Sequence, residues 1–204
     1  MPELSIFSPI DSRIFVWKIT ETLSRLLDIA GKNISDWQKY KTEIHQKQFL
    51  VKNILLRKLH LESTISYRDN GKPFLPDGQY ISISHSKNFV GIALSNRPVG
   101  IDLEFAQTKL IAVAPKYIHQ SEQNLIDINN SQQLLYFWTA KESIYKLIGE
   151  KGLHFRRDIQ IRTIDFVRQT GTAIVRNEKK INLYFNPLEN NFLICQAIYD
   201  ESVI

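Results

Sequence analysis

The stretch from Tyr80 to Phe105 limits the fold most, because it carries three short apolar segments separated by turn residues. The first, "YISIS", alternates apolar and polar residues, and the second, "FVGIAL", is a short apolar run. The sequence "SNRP" then interrupts the chain before "VGIDLEF". Alternation with a period of two, bounded by Asn, Pro and Ser, is typical of strands with short connections. This stretch therefore predicts three consecutive strands.

Helical spacing of apolar residues appears twice, in the second half of residues 35–59 and again over 134–148, where Gly149 can end the helix. One strand is predicted before the first helix, in "RIFVWKI", and several more follow the second. Strands and helices in this order predict an α+β fold. We expect two similar α+β halves, an N-terminal one over 1–98 and a C-terminal one over 99–204.

Composition restricts the class of protein. The chain has 204 residues and a net charge of +5, which favours an anionic partner such as nucleic acid, a phosphorylated cofactor or an acidic protein. Its single cysteine, Cys195, excludes an internal disulfide and a zinc site built of cysteines. The sequence contains neither a signal-peptide pattern nor a long apolar run, so we expect a cytoplasmic protein without membrane contact.

The strand "VGIDLEF" carries two carboxylates on one face, because Asp102 and Glu104 are two residues apart. Mg²⁺ prefers such oxygen ligands, completed by water or phosphate. Gly100 shares this face, and we expect it to leave room for a bulky ligand. Taken alone, the pattern favours an ordinary solvated strand face.

The helix over 134–148 strengthens the case for a site. Lys141 lies in the middle of its apolar stripe and therefore needs either a route to solvent or an anionic partner. Glu142 and Lys146 are four residues apart on the flank, a spacing that an exposed ion pair would also explain. Facing the two carboxylates, these three side chains would form a metal and phosphate site.

The motif "ISISHS" provides a third group, in which Ser82 and Ser84 alternate with isoleucines and His85 follows. A single histidine is most often structural. A Ser-His pair at the end of a strand can also bind phosphate through its hydroxyl, imidazole and backbone N–H groups.

Together these segments resemble the 4′-phosphopantetheinyl transferase superfamily, in its larger, Sfp-type branch. The resemblance covers "GKP" at 71–73, "ISISHS" at 81–86, "VGIDLE" at 99–104 and "FWTAKESIYKLIGEKGL" at 137–153. It implies two pseudo-symmetric α+β halves with coenzyme A (CoA) in the cleft between them. It also implies transfer of the phosphopantetheine arm of CoA to a serine of an apo acyl or peptidyl carrier protein, with release of 3′,5′-ADP.

The resemblance also assigns roles to individual residues. Asp102, Glu104 and Glu142 match the Mg²⁺ ligands of the family, and Asp102, Glu142 and Lys146 form the catalytic group. The residues matching those that serve the CoA phosphates, or the charge beside them, are Lys72, Ser84, His85, Lys141 and Lys146. Either Glu142 or a water on the metal would accept the proton of the attacking serine. Asn53 departs from the pattern, since many relatives carry arginine there.

Two other functions stay open from the residues alone. A Mg²⁺-dependent nucleotide phosphohydrolase would use the same carboxylates without a protein acceptor. A non-catalytic nucleic-acid-binding protein would use the basic excess, but the chain shows no basic and aromatic binding motif. We expect a monomer that binds CoA and an acidic carrier protein, and no nucleic acid.

Overall fold

The predicted strands and helices form two antiparallel sheets with helices packed against them. The computed structural model describes residues 3–7, 12–31, 34, 36–189 and 191–201. The elements follow in this order: β1 (Glu3–Phe7), β2 (Ser12–Lys18), α1 (Leu23–Ala30), α2 (Glu43–Lys58), β3 (Ser66–Tyr67), β4 (Pro73–Phe74), β5 (Tyr80–Ser86), β6 (Phe89–Ser95), β7 (Val99–Phe105), α3 (Lys109–Tyr117), α4 (Ser131–Ile148), α5 (Phe155–Asp158), β8 (Ile159–Asp165), β9 (Thr170–Val175), β10 (Lys179–Pro187) and β11 (Phe192–Tyr199). Short 3₁₀ helices cover Asp36–Lys39 and Gln120–Leu125.

The strands divide between sheets according to their place in the chain. One sheet has the order β1-β2-β6-β5 and the other β7-β11-β10-β9-β8, while β3 and β4 form a small hairpin. This mixture of helices and antiparallel sheets confirms the predicted α+β class. The chain passes from the first sheet to the second between Ser95 and Val99. The division into halves over 1–98 and 99–204 stays a prediction, as does their pseudo-symmetry.

Alternation along the strands gives each sheet two buried faces. One apolar cluster packs the two sheets against each other, and it includes Ile14 of β2, Ile101 of β7 and Ile194 of β11. On its outer face the first sheet is covered by α1 and α2, and the second by α3 and α4. Among the described residues, no helix is long and apolar enough to span a bilayer.

Capping residues set the ends of α4, the helix that carries most of the candidate site. The Asn130 side chain accepts hydrogen bonds from the backbone N–H groups of Gln132 and Gln133 at 3.0 and 3.2 Å. At the other end, Gly149 adopts φ 69°, which confirms it as the predicted helix terminator. Sequence periodicity did not predict α1 or α3, which have only eight and nine residues.

Serine side chains join the edges of the two sheets where β5 lies beside β7. We call Ser82, Ser84 and Ser86 the serine seam. The Oγ atom of Ser82 accepts the backbone N–H of Ile101 at 2.9 Å, and that of Ser84 accepts the backbone N–H of Leu103 at 3.1 Å. These hydroxyls satisfy buried N–H groups of β7 that a neighbouring strand would otherwise satisfy.

The space beside Gly100 is filled by α4, which corrects the expectation that it admits a ligand. A Cβ atom at Gly100 would lie 2.1 Å from the backbone oxygen of Ser143 and 2.5 Å from the backbone nitrogen of Leu147. Glycine therefore allows the helix backbone to approach β7 closely. The same approach brings the side chains of α4 over the carboxylates of β7.

We predict that Gly100→Ala lowers the free energy of unfolding by roughly 2–3 kcal/mol, because the added methyl group must displace the backbone of α4. Chemical denaturation monitored by circular dichroism measures this change. Gly91→Ala is the matched control, since a Cβ there would meet only side chains of the apolar layer between the sheets, at 3.5–3.7 Å, which is ordinary contact. Equal stability of both variants would contradict the close helix approach.

Candidate active site

Four of the predicted site residues meet at the edge of β7. The Nζ atom of Lys146 on α4 lies 2.8 Å from Oδ1 of Asp102. Glu142, one turn earlier on α4, and Glu104 line the same pocket, which has a volume of about 330 Å³. Three carboxylates and one ammonium group therefore share one opening. Lys146 therefore pairs with Asp102, and not with Glu142 as an exposed ion pair on the helix flank would require.

The environment of Glu142 is unfavourable for a negative charge. Burial, followed by the charge of Asp102, raises its pKa to about 7, while Lys146 opposes the shift and Glu104 adds to it. At neutral pH the pocket thus carries carboxylates that repel one another. A cation placed between them would remove this repulsion.

The donor set fits a hard divalent cation whose coordination is completed by other oxygens. Asp102, Glu104 and Glu142 offer carboxylate oxygens, which Mg²⁺ prefers. Within the part of the chain that the structure describes, no three acidic, histidine or cysteine side chains converge closely enough to enclose an ion. Mg²⁺ usually keeps waters or phosphate oxygens and uses only one or two protein carboxylates, so an open set of this kind suits it.

His85 lines this pocket, and Lys72 lines a neighbouring one. His85 lines the carboxylate pocket together with Glu142, and part of its side chain is exposed. Partial desolvation of the ring, followed by the charge of Lys146, lowers the pKa of His85. Lys72 lies beside a neighbouring cavity that also reaches Lys146, and its Nζ donates to the Leu147 carbonyl at 2.6 Å. Burial, followed by the charge of Arg68, lowers the pKa of Lys72. Contact of either residue with CoA stays a prediction.

Ser84 supports Asp102 through its side chain. Its hydroxyl donates to Oδ1 of Asp102 at 2.9 Å, the same oxygen that binds Lys146. Ser84 is buried, and two neighbours on β7 already engage its hydroxyl. The predicted contact of Ser84 with phosphate stays untested, whereas its contact with a carboxylate was not predicted.

Lys141 requires a correction, because it points into the protein and away from the pocket. It is 0% exposed, and its Nζ lies 2.8 Å from Oε2 of Glu122. The same ammonium donates to the carbonyl oxygens of Tyr117, Ile159 and Phe155 at 2.7, 2.9 and 3.1 Å. A lysine enclosed in this way cannot contact the phosphates of CoA, whereas the expectation of an anionic partner is confirmed.

Sequence reasoning missed two polar side chains that hold this region together. Glu122 accepts the backbone N–H groups of His119 and Ile161, both at 2.6 Å, besides the ammonium of Lys141. It lies in a polar segment whose spacing gives no signal of a buried role. Ser86 donates to Oε1 of Glu104 at 2.5 Å, and its place two residues after Ser84 in the alternating motif was a usable signal.

Comparison with known families agrees with this arrangement. Residues 98–197 match the family model described as the 4′-phosphopantetheinyl transferase superfamily, and this range includes β7 and α4. This match places residues 98–197 in the 4′-phosphopantetheinyl transferase superfamily. The identification made from the motifs is thereby confirmed.

Curated relatives in this superfamily include proteins named as transferases. The chain is 36% identical over 140 residues to 4′-phosphopantetheinyl transferase gsp of Aneurinibacillus migulanus, covering 65% of this chain and 57% of that relative. It is 31% identical over 118 residues to 4′-phosphopantetheinyl transferase Sfp of Bacillus subtilis, covering 53% and 52%. Enterobactin synthase component D of Salmonella typhi is 28% identical over 101 residues, covering 47% and 43%. The matches thus span about half the length of these relatives.

We predict that Lys141→Met lowers the free energy of unfolding by about 3–5 kcal/mol, because it leaves the carboxylate of Glu122 buried and unpaired. Thermal and chemical denaturation measure the change. Lys39→Met is the matched control, since the ion pair of Lys39 with Asp36 is exposed and should contribute little. A Lys141→Met protein with normal stability but weakened CoA binding would restore the original prediction for Lys141.

The raised pKa of Glu142 predicts a pH-dependent gain of stability in Glu142→Gln when no divalent cation is present. In the unaltered protein the native state holds the proton of Glu142 more tightly than the unfolded chain does. The bound proton therefore stabilises the unaltered protein fully below pH 4.5, and this contribution is lost as pH rises through 7. Relative to the unaltered protein, Glu142→Gln should gain up to about 3 kcal/mol between pH 5 and pH 8.

Urea titrations at several pH values test this expectation. Glu150→Gln is the control, because its hydrogen bond with Lys179 lowers the pKa of Glu150, which places its titration at acidic pH. A constant difference between Glu142→Gln and the unaltered protein from pH 5 to pH 8 would show that Glu142 is not crowded by negative charge.

Proposed function

We propose that this protein transfers the 4′-phosphopantetheine arm of CoA to a serine hydroxyl of an apo carrier protein and releases 3′,5′-ADP. The observation that carries the proposal is the pocket where Asp102, Glu104 and Glu142 lie beside Lys146. Membership of residues 98–197 in the superfamily and the names of the relatives support the same reaction. A Mg²⁺ ion held by one or two of these carboxylates would neutralise the pyrophosphate of CoA and favour departure of the leaving group.

The residues of the chain would do the remaining work. Lys146, oriented by its contact with Asp102, would offset the negative charge that grows on the phosphate oxygens. Glu142 would accept the proton as the serine oxygen forms its bond to phosphorus. The bond between that phosphorus and the oxygen of the 3′,5′-ADP group breaks in the same exchange, so atoms and charge balance.

An acidic carrier protein would find a suitable surface beside this pocket. A groove lined by the apolar side chains Leu110, Val113 and Phe155 shares Glu104 and Trp138 with the carboxylate pocket. The exposed residues Lys109 and Lys116 stand at this groove, and Arg156 and Arg157 line its continuation. An apolar groove with basic groups along it favours a partner helix that carries acidic groups beside apolar ones.

Mass spectrometry of an apo carrier protein incubated with the enzyme, CoA and Mg²⁺ tests the reaction. We expect a mass gain of one phosphopantetheine group and an equal amount of 3′,5′-ADP. Release of 3′,5′-ADP without any carrier protein would instead indicate the phosphohydrolase. Binding to nucleic acid in a gel-shift assay, without transfer, would indicate the non-catalytic alternative.

Asp102→Ala and Glu142→Gln should each lower the transfer rate at least roughly 100-fold without unfolding the protein, because each removes a carboxylate from the pocket. Rates come from the mass assay and folding from circular dichroism. Glu150→Gln, an exposed glutamate paired with Arg176 and Lys179 outside this pocket, is the control. Near-normal rates in either pocket variant would refute the assignment of the carboxylates.

Lys116→Glu should raise KM for an acidic carrier protein about tenfold while kcat stays near normal, because it reverses one charge at the groove. The rate of association should also fall with added salt in the unaltered enzyme. Lys180→Glu on β10 changes the net charge equally at an exposed position away from the groove. Equal effects of the two substitutions would point to net charge and argue against docking in the groove.

A further inference from the structure

We propose that Ser86 is a positioning residue that orients the carboxylate of Glu104 toward the ligands of the pocket. The hydroxyl of Ser86 donates to Oε1 of Glu104 at 2.5 Å. The backbone N–H of Phe105 donates to the same oxygen at 3.0 Å. Two donors on Oε1 fix the plane of the carboxylate. The other oxygen, Oε2, is then left to bind an external cation or a water molecule.

The same arrangement is repeated two residues earlier along both strands. Ser84 donates to Asp102 just as Ser86 donates to Glu104, so β5 holds both carboxylates of β7. Asp102 receives a further bond from Lys146 on α4. Ser84 and Lys146 together orient Asp102, and the hydroxyl of Ser86 orients Glu104 in the same way.

The position of Ser86 is itself fixed by the surrounding backbone. Ser86 is the last residue of β5, pairs with Phe89 across a tight turn, and is only 8% exposed. The carbonyl oxygen of Lys87, the next residue, accepts a bond from the side chain of Gln48 at 2.7 Å. A donor anchored in this way holds a carboxylate more firmly than a mobile surface serine would.

Removal of this hydroxyl should weaken metal binding more than it weakens the fold. Partners that orient a metal ligand typically change affinity by about 10–100-fold when removed. The inference rests on the proposed metal site and therefore needs a readout that does not depend on transfer. Mn²⁺, which prefers similar oxygen ligands and is visible by electron paramagnetic resonance, provides that readout.

The test compares the Kd for Mn²⁺, measured in the presence of CoA, among the unaltered protein and two serine variants. Ser86→Ala should raise this Kd about tenfold. Ser82→Ala is the matched control, because Ser82 lies on the same face of the same strand and its hydroxyl bonds the backbone of Ile101 instead of a carboxylate. Its Kd should equal that of the unaltered protein.

A rescue and a kinetic measurement separate positioning from a general loss of structure. Ser86→Thr keeps the hydroxyl and should restore Mn²⁺ affinity. In the transfer assay, Ser86→Ala should raise the Mg²⁺ concentration needed for half-maximal rate and leave kcat at saturating Mg²⁺ near normal. Should Ser86→Ala fail to fold, Ser86→Cys replaces it, since a thiol has nearly the same shape and donates only weakly.

The outcomes distinguish this inference from the proposed function. Unchanged Mn²⁺ affinity in a folded Ser86→Ala or Ser86→Cys protein would overturn the role of Ser86, even if transfer is observed. Equal weakening by Ser82→Ala would also overturn it, as would absence of Mn²⁺ binding by the unaltered chain. Selective weakening in a protein without transfer activity would support the role of Ser86 and refute the proposed transferase reaction alone.

Discussion

The serine seam between β5 and β7 is the contact on which the arrangement of the site depends. Through it, one edge of the first sheet supplies hydroxyls to both the backbone and the carboxylates of the second. The bonds from Ser82 and Ser84 satisfy backbone N–H groups of β7, whereas the bonds from Ser84 and Ser86 orient Asp102 and Glu104. Because residues two apart share a face in both strands, a single alternating motif accomplishes both tasks. Ser82, Ser84 and Ser86 are themselves buried, which limits competition from water for these bonds.

A second constraint fixes α4 over the seam. Gly100 lets the helix backbone approach β7, and the enclosed ion pair between Lys141 and Glu122 ties the opposite side of the helix to the segments before and after it. A buried ion pair is a weak source of net stability, yet loss of one partner is costly, so it favours one position of the helix over others. Glu142 and Lys146 gain their place above β7 from these contacts. Neighbouring residues of one motif, Lys141 and Glu142, thus face opposite environments.

Local patterns predicted much of the fold, and they were less informative about partners distant in sequence. Alternation and one short apolar run predicted the three strands from Tyr80 to Phe105, helical spacing predicted α4, and the motifs predicted the family. Periodicity could show that Lys141 sits among apolar residues, but not that Glu122, nineteen positions earlier, neutralises it. It could not show which backbone fills the space at Gly100, because that depends on how a helix packs on a sheet. The short helices α1 and α3 carry too few turns for a clear periodic signal.

The serine seam and α4 together position the carboxylates that we propose bind a cation. Crystals grown with Mn²⁺ and CoA, measured by anomalous diffraction, test this most directly. We expect one strong anomalous peak at roughly 2.0–2.5 Å from carboxylate oxygens of Asp102 and Glu104, with the remaining coordination supplied by water or by the pyrophosphate of CoA. A peak held by other side chains, or bound CoA with no metal at these two carboxylates, would contradict the account.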